Sequence, residues 1–224
     1  MQRFFDIMFS IIGIIIFLPF FLPIVVLLRF TGEGEIFYRQ SRIGFRGIPF
    51  YVLKFATMKK NSPNIGTGTI TVKNDSRVLP VGKVLRKTKV NELPQLLNIL
   101  KGDMSLIGPR PLTIEAYSGY SNEVIKEIQK LRPGLSGVGS VVFRDEETIL
   151  QTFDDGVDGY KKFVAPFKAE LEGWYAKNKN TRLYFILIFL TLMAIISPKN
   201  IIFWRIFKDA PRPKGPLKSY FKIY

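Results

Sequence analysis

The 224-residue chain contains neither cysteine nor histidine. Without cysteine there is no disulfide bond, no thiolate nucleophile and no cysteine-ligated zinc. Without histidine there is no Ser-His-Asp triad, no histidine-bound metal and no imidazole general base. Acid–base and nucleophilic work therefore falls to Asp, Glu, Lys, Tyr, Ser or Thr, and any metal would be a hard cation held by oxygen ligands, such as Mg²⁺.

Negative charge is also scarce, because 18 Asp and Glu face 33 Lys and Arg, for a formal net charge of +15. Such a surplus is explained by solubility, by anionic lipid head groups or by an anionic phosphate substrate. Nucleic acid is the least favoured partner, since the basic residues are dispersed and no RNA- or DNA-binding motif is present.

Residues 7–28 are almost wholly apolar, between Arg3 and Arg29. At about 1.5 Å per residue, the run just covers the roughly 30 Å hydrocarbon core of a membrane. No small-residue cleavage site follows, which argues against a removed signal peptide. Pro19 and Pro23 favour a kink. The residues alone leave a spanning anchor and a helix that enters one leaflet and turns back as alternatives, and favour the spanning anchor.

The middle of the chain predicts a small helix-rich α/β domain. Residues 49–58 have the composition of a strand, whereas residues 81–88, 121–131 and 159–177 have helical character. Residues 61–71 are rich in Gly, Asn, Ser and Thr and predict a mobile loop.

Two further segments lie near the C-terminus. Residues 183–196 are nearly all apolar but short for a membrane crossing, so we predict a helix lying on, or dipping into, the membrane. The tail of residues 208–224 is basic, aromatic and proline-containing, and predicts either a flexible segment or a surface anchor.

The stretch of residues 82–111 carries the chemical signal of the chain. Asn91 is a preferred N-cap, and Pro94 falls in the first turn of the helix it would start, where a missing N–H does no harm. Gly102 fits a C-terminal cap of this helix. Its expected apolar stripe comprises Leu93, Leu96, Leu97 and Leu100.

Glu92 would then lie at a helix N-terminus, where free N–H groups and the helix dipole favour anions. Basic residues flank it on both sides: Lys83, Arg86, Lys87, Lys89, Lys101 and Arg110. A carboxylate among cations at such a position suits phosphate chemistry.

The order of these segments resembles a known family. After the hydrophobic run come Lys-Phe-Ala-Thr-Met at 54–58, the Asn91 helix start, Lys-Gly-Asp-Met-Ser-Leu-Ile-Gly-Pro-Arg-Pro at 101–111, and Arg-Pro-Gly at 132–134. This arrangement resembles the bacterial sugar transferases, the monotopic phosphoglycosyl transferases that start glycan assembly on a lipid carrier. The resemblance extends from about residue 7 to about residue 138.

The resemblance implies transfer of a phosphosugar from a UDP-sugar to a polyprenyl phosphate, with undecaprenyl phosphate as the expected acceptor, release of UMP and use of Mg²⁺. In that family an Asp-Glu pair starts the helix, and the Asp attacks the β-phosphate to form a covalent phosphosugar carrier. The family assembles exopolysaccharide, lipopolysaccharide and capsule. The resemblance also implies contact with membrane lipids at the cytoplasmic face of the bacterial inner membrane, and it leaves a homodimer open.

This chain departs from the family at the decisive position, where Asn91 replaces the Asp while Glu92 remains. A neutral amide is a poor nucleophile. Three alternatives stay open. In the first, Asn91 inactivates the site, and the chain is a paralogue that binds UDP-sugar or lipid carrier without turnover. In the second, Glu92 takes over as nucleophile. In the third, transfer is direct and Glu92 binds Mg²⁺.

The resemblance assigns substrate-binding roles to four basic residues: Lys54, Arg86, Arg110 and Arg132. Each is alternatively a solvated surface charge. Asp103 is either a metal ligand or a structural turn residue.

In the family, the N-terminal helix re-enters the membrane at a proline kink, and Pro23 sits where that break falls. The resemblance therefore ranks re-entry above spanning. It divides the chain into a re-entrant or anchoring helix (1–30), a cytoplasmic transferase domain (31–180), and an interfacial helix with a basic tail (181–224).

Overall fold

Two small sheets surrounded by helices form the described part of the chain, which confirms the predicted helix-rich α/β class. The computed structural model describes residues 1–66, 68, 70–71, 74–117, 119–196 and 202–221. The strands are β1 (Phe37–Ile43), β2 (Pro49–Phe55), β3 (Ser105–Ile107) and β4 (Gly134–Ser136). The helices are α1 (Gln2–Phe30), α2 (Pro80–Lys87), α3 (Gln95–Lys101), α4 (Ile114–Tyr117), α5 (Asn122–Ile128), α6 (Val138–Val142), α7 (Glu146–Leu150), α8 (Gly156–Gly159), α9 (Ala165–Asn178), α10 (Thr181–Ile196), α11 (Ile202–Ile206) and α12 (Pro216–Phe221). A π-helical turn, Tyr160–Val164, joins α8 to α9.

Strands β1 and β2 form an antiparallel hairpin. Tyr38 pairs with Lys54, and Arg42 pairs with Phe50. Because side chains alternate along a strand with a period of two, Arg42 and Lys54 lie on the same face of the hairpin. Strand β2 confirms the strand predicted at residues 49–58. Strand β1 is not predicted by the sequence, because four of its seven residues are polar.

The second sheet pairs β3 with β4 in parallel and brings the two glycine-containing motifs together. A Cβ atom on Gly137 would lie 2.1 Å from the carbonyl oxygen of Gly108, and one on Gly108 would lie 2.4 Å from the carbonyl oxygen of Arg132. The two chain segments therefore pack backbone against backbone, which only glycine allows. This contact fixes the chain that leads into Arg110.

Helix α1 runs through the whole N-terminal apolar stretch, with both prolines inside it, and packs on the rest of the protein near both of its ends. At its start, Arg3 donates to two carbonyls at the end of α3. Asp6 accepts from the Tyr184 hydroxyl at 2.9 Å and from a β3 backbone N–H at 3.0 Å. At its end, Leu28 is buried against Phe55.

The other side of α1 is apolar and exposed. By length and composition alone, the helix could cross a membrane. Its exposed apolar side chains include Ile11, Ile12, Ile15, Ile16, Leu18, Phe20, Leu22 and Val26.

Helix α10, where the sequence predicts an interfacial helix, has two unlike faces. Leu187 and Leu190 are fully buried in the main core, whereas Phe189 and Leu192 are exposed. The helix is thus a core element that also presents apolar surface.

The C-terminal tail differs from the expectation of a flexible segment or surface anchor. Leu217 and Phe221 of α12 are buried in the main core, where the Phe221 ring lies 5.1 Å from that of Trp204. Apolar burial therefore orders the tail as far as Phe221. Residues 222–224 lie outside the described residues.

The predicted loop at residues 61–71 includes positions 67 and 69, which are also outside the described residues. In its described part, Ser62–Asn64 form a 3₁₀ turn. Arg77 donates to the carbonyls of Ser62 and Ile65 at 2.8 and 2.9 Å, and forms an ion pair with Asp75.

Replacing Gly82 in α2 with Ala is expected to destabilise the protein. A Cβ there would lie 2.2 Å from the carbonyl oxygen of Thr57, so the loss should be about 1–3 kcal/mol, as for an overpacked core. In an exposed helix, by contrast, replacing Gly with Ala raises the free energy of unfolding by up to about 1 kcal/mol. Thermal unfolding in detergent measures the effect, with the exposed Lys83→Ala on the same helix as control. An unchanged melting temperature for Gly82→Ala would contradict the rigid backbone contact.

Candidate active site

The site is built around Glu92, which a short 3₁₀ turn, Val90–Glu92, directs into the protein. Lys89, just before the turn, has the left-handed conformation with φ of 61° and reverses the chain after α2. Glu92 is buried, with its Oε1 2.9 Å from Nη2 of Arg110 and 3.6 Å from Nζ of Lys54. Glu92 thus links β2 to the segment that follows β3.

Cations outnumber the carboxylate at this centre. Besides the two direct partners, three more positive side chains act electrostatically on Glu92: Arg42, Lys89 and Arg144. They come from β1, the turn after α2 and the segment before α7. One buried carboxylate among five cations leaves net positive charge, which is the charge that a phosphate ligand requires.

The protonation states follow from burial and from these charges. Burial raises the pKa of Glu92, but Arg110, Lys54 and Lys89 outweigh it and hold that pKa well below its usual range, so Glu92 is ionised at neutral pH. Burial lowers the pKa of Lys54 to about 7, against the attraction of Glu92. Burial likewise lowers the pKa of Arg42 to about 10.

Asn91 does not cap a helix, contrary to the prediction from its sequence. It lies inside the 3₁₀ turn, and α3 begins only at Gln95, without a side-chain cap. Asn91 is 5% exposed, and its Oδ1 has no hydrogen-bond partner.

Two further predictions concern α3. The apolar stripe is wrong at Leu97, which is exposed, whereas the C-terminal cap at Gly102, with φ of 101°, is confirmed.

Two of the predicted basic residues have other partners. Arg86 forms an ion pair with Glu147 of α7 at 3.3 Å. Arg132 donates from Nε to the carbonyl oxygen of Gly102 at 2.8 Å and lies over the Phe45 ring. Within the described residues, neither one forms an ion pair with Glu92. The structure therefore brings together Lys54, Glu92 and Arg110, places Asn91 beside Glu92 in the same turn, and places Arg86 and Arg132 at other contacts.

A groove with a volume of about 610 Å³ lies beside the β1–β2 hairpin, between Phe45, Tyr51 and Lys101, and none of Lys54, Glu92 and Arg110 lines it. Asp103 lines it, in an ion pair with Lys101 at 3.3 Å. Asp103 also accepts from the side-chain amide of Asn98 at 3.4 Å.

Sequence reasoning missed Glu172 and Arg42. Glu172, in α9, is 2% exposed, and burial raises the pKa of its carboxyl to about 7. A lone Glu on a charged helix gives no signal, because such residues are normally solvated. Arg42 becomes recognisable only once β1 is paired with β2, since the register places it on the face of Lys54.

The residues present fit Mg²⁺ only in a limited way. The described residues contain no group of three or more acidic side chains that would form a protein cage. The ionised Glu92 carboxylate is an oxygen ligand of the kind that Mg²⁺ prefers. A single carboxylate suits an ion that is held mainly by the phosphates of a ligand.

The fold and the site together define a helix-rich α/β protein with an apolar N-terminal helix and a cation-rich centre for a phosphate ligand. The family model for bacterial sugar transferases matches residues 1–198. The chain belongs to this family of sugar phosphotransferases, which confirms the predicted resemblance.

Several named relatives are similar to the chain. The exopolysaccharide production protein ExoY of Rhizobium meliloti is 35% identical over 159 residues, which cover 65% of this chain and 70% of ExoY. The UDP-N-acetylgalactosamine-undecaprenyl-phosphate N-acetylgalactosaminephosphotransferase of Aeromonas hydrophila is 33% identical over 198 residues, 88% of this chain and 44% of that protein. The UDP-glucose:undecaprenyl-phosphate glucose-1-phosphate transferase of Caulobacter vibrioides is 36% identical over 145 residues, 62% of this chain and 53% of that protein.

Proposed function

We propose that the chain transfers a phosphosugar from a UDP-sugar to undecaprenyl phosphate and releases UMP. The observation that carries this proposal is the buried Glu92, which contacts two cations and is acted on electrostatically by three more. A diphosphate is the ligand whose charge such a cluster balances. The names of the relatives from Aeromonas hydrophila and Caulobacter vibrioides support the donor class and the lipid acceptor.

The side chains have separate tasks in this reaction. The planar guanidinium of Arg110, which reaches the surface, binds phosphate oxygens at two points. Lys54, more deeply placed, supplies a point charge whose strength falls above pH 7. As the P–O bond to UMP breaks, these cations stabilise the negative charge that develops on the leaving phosphate.

Mg²⁺ is part of the proposal. Glu92 would hold the ion together with the donor phosphates, and the ion would neutralise charge on the phosphate oxygens. Glu92 is suited to this role because its carboxyl is ionised.

Asn91 favours a second candidate function, binding of UDP-sugar or lipid carrier without turnover. Its neutral amide cannot form the covalent carrier that the family's Asp forms.

Release of UMP separates the two functions. The full chain in detergent is incubated with undecaprenyl phosphate, Mg²⁺ and either UDP-glucose or UDP-N-acetylgalactosamine. UMP release that requires the lipid phosphate supports the transferase. Binding of either sugar nucleotide without UMP release supports the non-catalytic function, and absence of binding contradicts both.

We further propose that α1 is embedded in the cytoplasmic leaflet of the bacterial inner membrane and does not cross it. Arg3 and Leu28, near opposite ends of α1, both contact the same folded unit. If α1 spanned the bilayer, these two contacts would lie on opposite sides of the roughly 30 Å hydrocarbon core, and one folded unit could not make both. The exposed apolar side of α1 then contacts lipid.

Cysteine labelling is expected to find both ends of α1 on the cytoplasmic side. The chain has no cysteine of its own, so one cysteine inserted after Met1, or Glu35→Cys, gives a single reactive site. In intact cells a membrane-impermeant maleimide should label neither, and in inverted vesicles it should label both. Leu18→Cys, on the exposed side of α1, is the lipid-buried control and should stay unlabelled in both preparations. Labelling of the N-terminal cysteine in intact cells would contradict re-entry.

A further inference from the structure

We propose that Glu172 is a positioning residue that holds Arg110 in place for the phosphate ligand. The proposal rests on the proposed function for the identity of that ligand. Glu172 belongs to α9, which lies after the sequence motifs of residues 54–134 that nominate the other site residues.

The carboxyl of Glu172 lies between two segments next to the site, the chain around Arg110 and the start of α6. Its Oε1 lies 3.5 Å from the backbone nitrogen of Arg110, and the Gly139 backbone N–H also faces the carboxyl. A Cβ atom on Gly139 would lie 2.6 Å from Oε1, so α6 approaches Glu172 as closely as glycine permits. Glu172 therefore links the Arg110 segment to the first turn of α6.

The same two segments hold the guanidinium of Arg110. Its Nη2 contacts Glu92 at 2.9 Å, and its Nη1 contacts the hydroxyl of Ser140, in α6, at 3.4 Å. Glu172 thus fixes the backbone of Arg110 and also the element that carries Ser140. A shift of either segment would move the guanidinium away from the position at which it meets a phosphate.

Burial favours the neutral form of the Glu172 carboxyl. The residue is 2% exposed, and its Oε2 has no hydrogen-bond partner. An ionised oxygen in such a place lacks the compensation that a buried charge requires. Burial accordingly raises the pKa of Glu172 to about 7, although Lys168 and Arg110 oppose the shift.

The charged and titratable groups around Glu172 come from several elements. They are Lys168 and Tyr175 on α9, Arg110 after β3, Glu146 on α7 and Tyr120 before α5. The ammonium of Lys168 is already paired with Glu146. As pH rises through about 7, Glu172 gains a negative charge directly behind Arg110 and should weaken the binding of a diphosphate.

Two variants separate the charge of Glu172 from its acceptor oxygen. Glu172→Gln keeps an acceptor for the Arg110 N–H and removes the titration, whereas Glu172→Met has similar length and lacks both. The probes are UDP-glucose and UDP-N-acetylgalactosamine, whose diphosphates do not titrate near pH 7. Their binding to the full chain in detergent is measured by calorimetry between pH 5.5 and 8.5.

We expect Glu172→Met to lower affinity about tenfold at every pH, the size expected when a hydrogen-bonded charge is misplaced. Glu172→Gln should match the unmodified protein at pH 5.5. Above pH 7 the affinity of the unmodified protein should fall as Glu172 ionises, and the affinity of Glu172→Gln should fall less steeply over the same range. Unchanged affinity in Glu172→Met, or an unchanged slope in Glu172→Gln, would overturn the proposal.

A measurement on the protein without ligand tests the role of Glu172 independently of the proposed transferase function. If Glu172 acts through Arg110, the melting-temperature losses of Glu172→Met and Arg110→Met should be less than additive in the double variant. Additive losses would overturn the positioning role. A protein that binds neither sugar nucleotide but shows this coupling would contradict the transferase proposal and still support the role of Glu172.

Discussion

Asn91→Asp is expected to raise UMP release by on the order of a hundredfold or more, because it restores a carboxylate nucleophile where the chain has a neutral amide. Asn91 is buried and its Oδ1 is unpartnered, so an isosteric carboxylate fits without displacing an existing hydrogen bond. The cations around the neighbouring Glu92, Lys54 and Arg110 among them, should favour the ionised form of that carboxyl.

The covalent carrier gives a direct measurement of this change. With UDP-sugar and no lipid acceptor, Asn91→Asp should accumulate a phosphosugar adduct on residue 91, which mass spectrometry of proteolytic peptides locates. Asn122→Asp, an exposed substitution of the same kind at the start of α5, is the control and should leave activity unchanged.

Other outcomes distinguish the remaining mechanisms. If the unmodified protein is active and Glu92→Gln abolishes that activity, with an adduct on Glu92, then Glu92 is the nucleophile. Activity with no adduct at either position leaves direct transfer. An Asn91→Asp variant that binds UDP-sugar and still releases no UMP would contradict the view that Asn91 alone inactivates the site.

The small effect expected of Asn91→Asp on stability has a different reason from the one that the sequence suggests. As N-caps, Asn and Asp are nearly equivalent. Asn91 is not a cap, however, because the left-handed Lys89 turns the chain inward and delays α3 until Gln95. Stability is instead expected to depend on the cations that compensate a buried carboxylate.

The sequence predicts those site residues that belong to short continuous motifs. Glu92 and Arg110 belong to the long stretch from residue 82 to 111, and they meet at 2.9 Å. Lys54 joins them from the predicted strand. In each case a local pattern predicts the helix, strand or turn that carries the residue. The pairing of the strands and the close glycine contacts then bring these segments together.

The residues that the sequence could not place depend on contacts between distant segments. Arg42 reaches the site because β1 pairs with β2, although its strand is too polar to be predicted. Glu172 reaches it because α9 packs against α6, and no periodicity marks a lone buried carboxylate. The burial of the α12 aromatic residues in the main core also depends on contacts with distant segments, so the sequence does not predict it.

Arg110→Lys is the second change with a large expected effect. Lysine retains the charge but loses the planar fork that reaches both Glu92 and Ser140. We expect sugar-nucleotide affinity to fall by about tenfold or more, in line with the loss of a charge-assisted hydrogen bond. The melting temperature should change little, because the ammonium still balances the buried Glu92.

Arg86→Lys and Arg132→Lys are the matched comparisons, since the same sequence motifs nominate all three arginines. Arg86 is held by Glu147 at 3.3 Å, and Arg132 by the carbonyl oxygen of Gly102 at 2.8 Å. Their replacement should therefore change sugar-nucleotide affinity less than threefold, which is within the range of surface charges near a charged ligand. Equal losses in all three variants would mean that Arg86 and Arg132 also reach the ligand when it binds. Full affinity in Arg110→Lys would leave Arg110 as a partner of Glu92 alone, with the phosphate held by the other cations of the cluster.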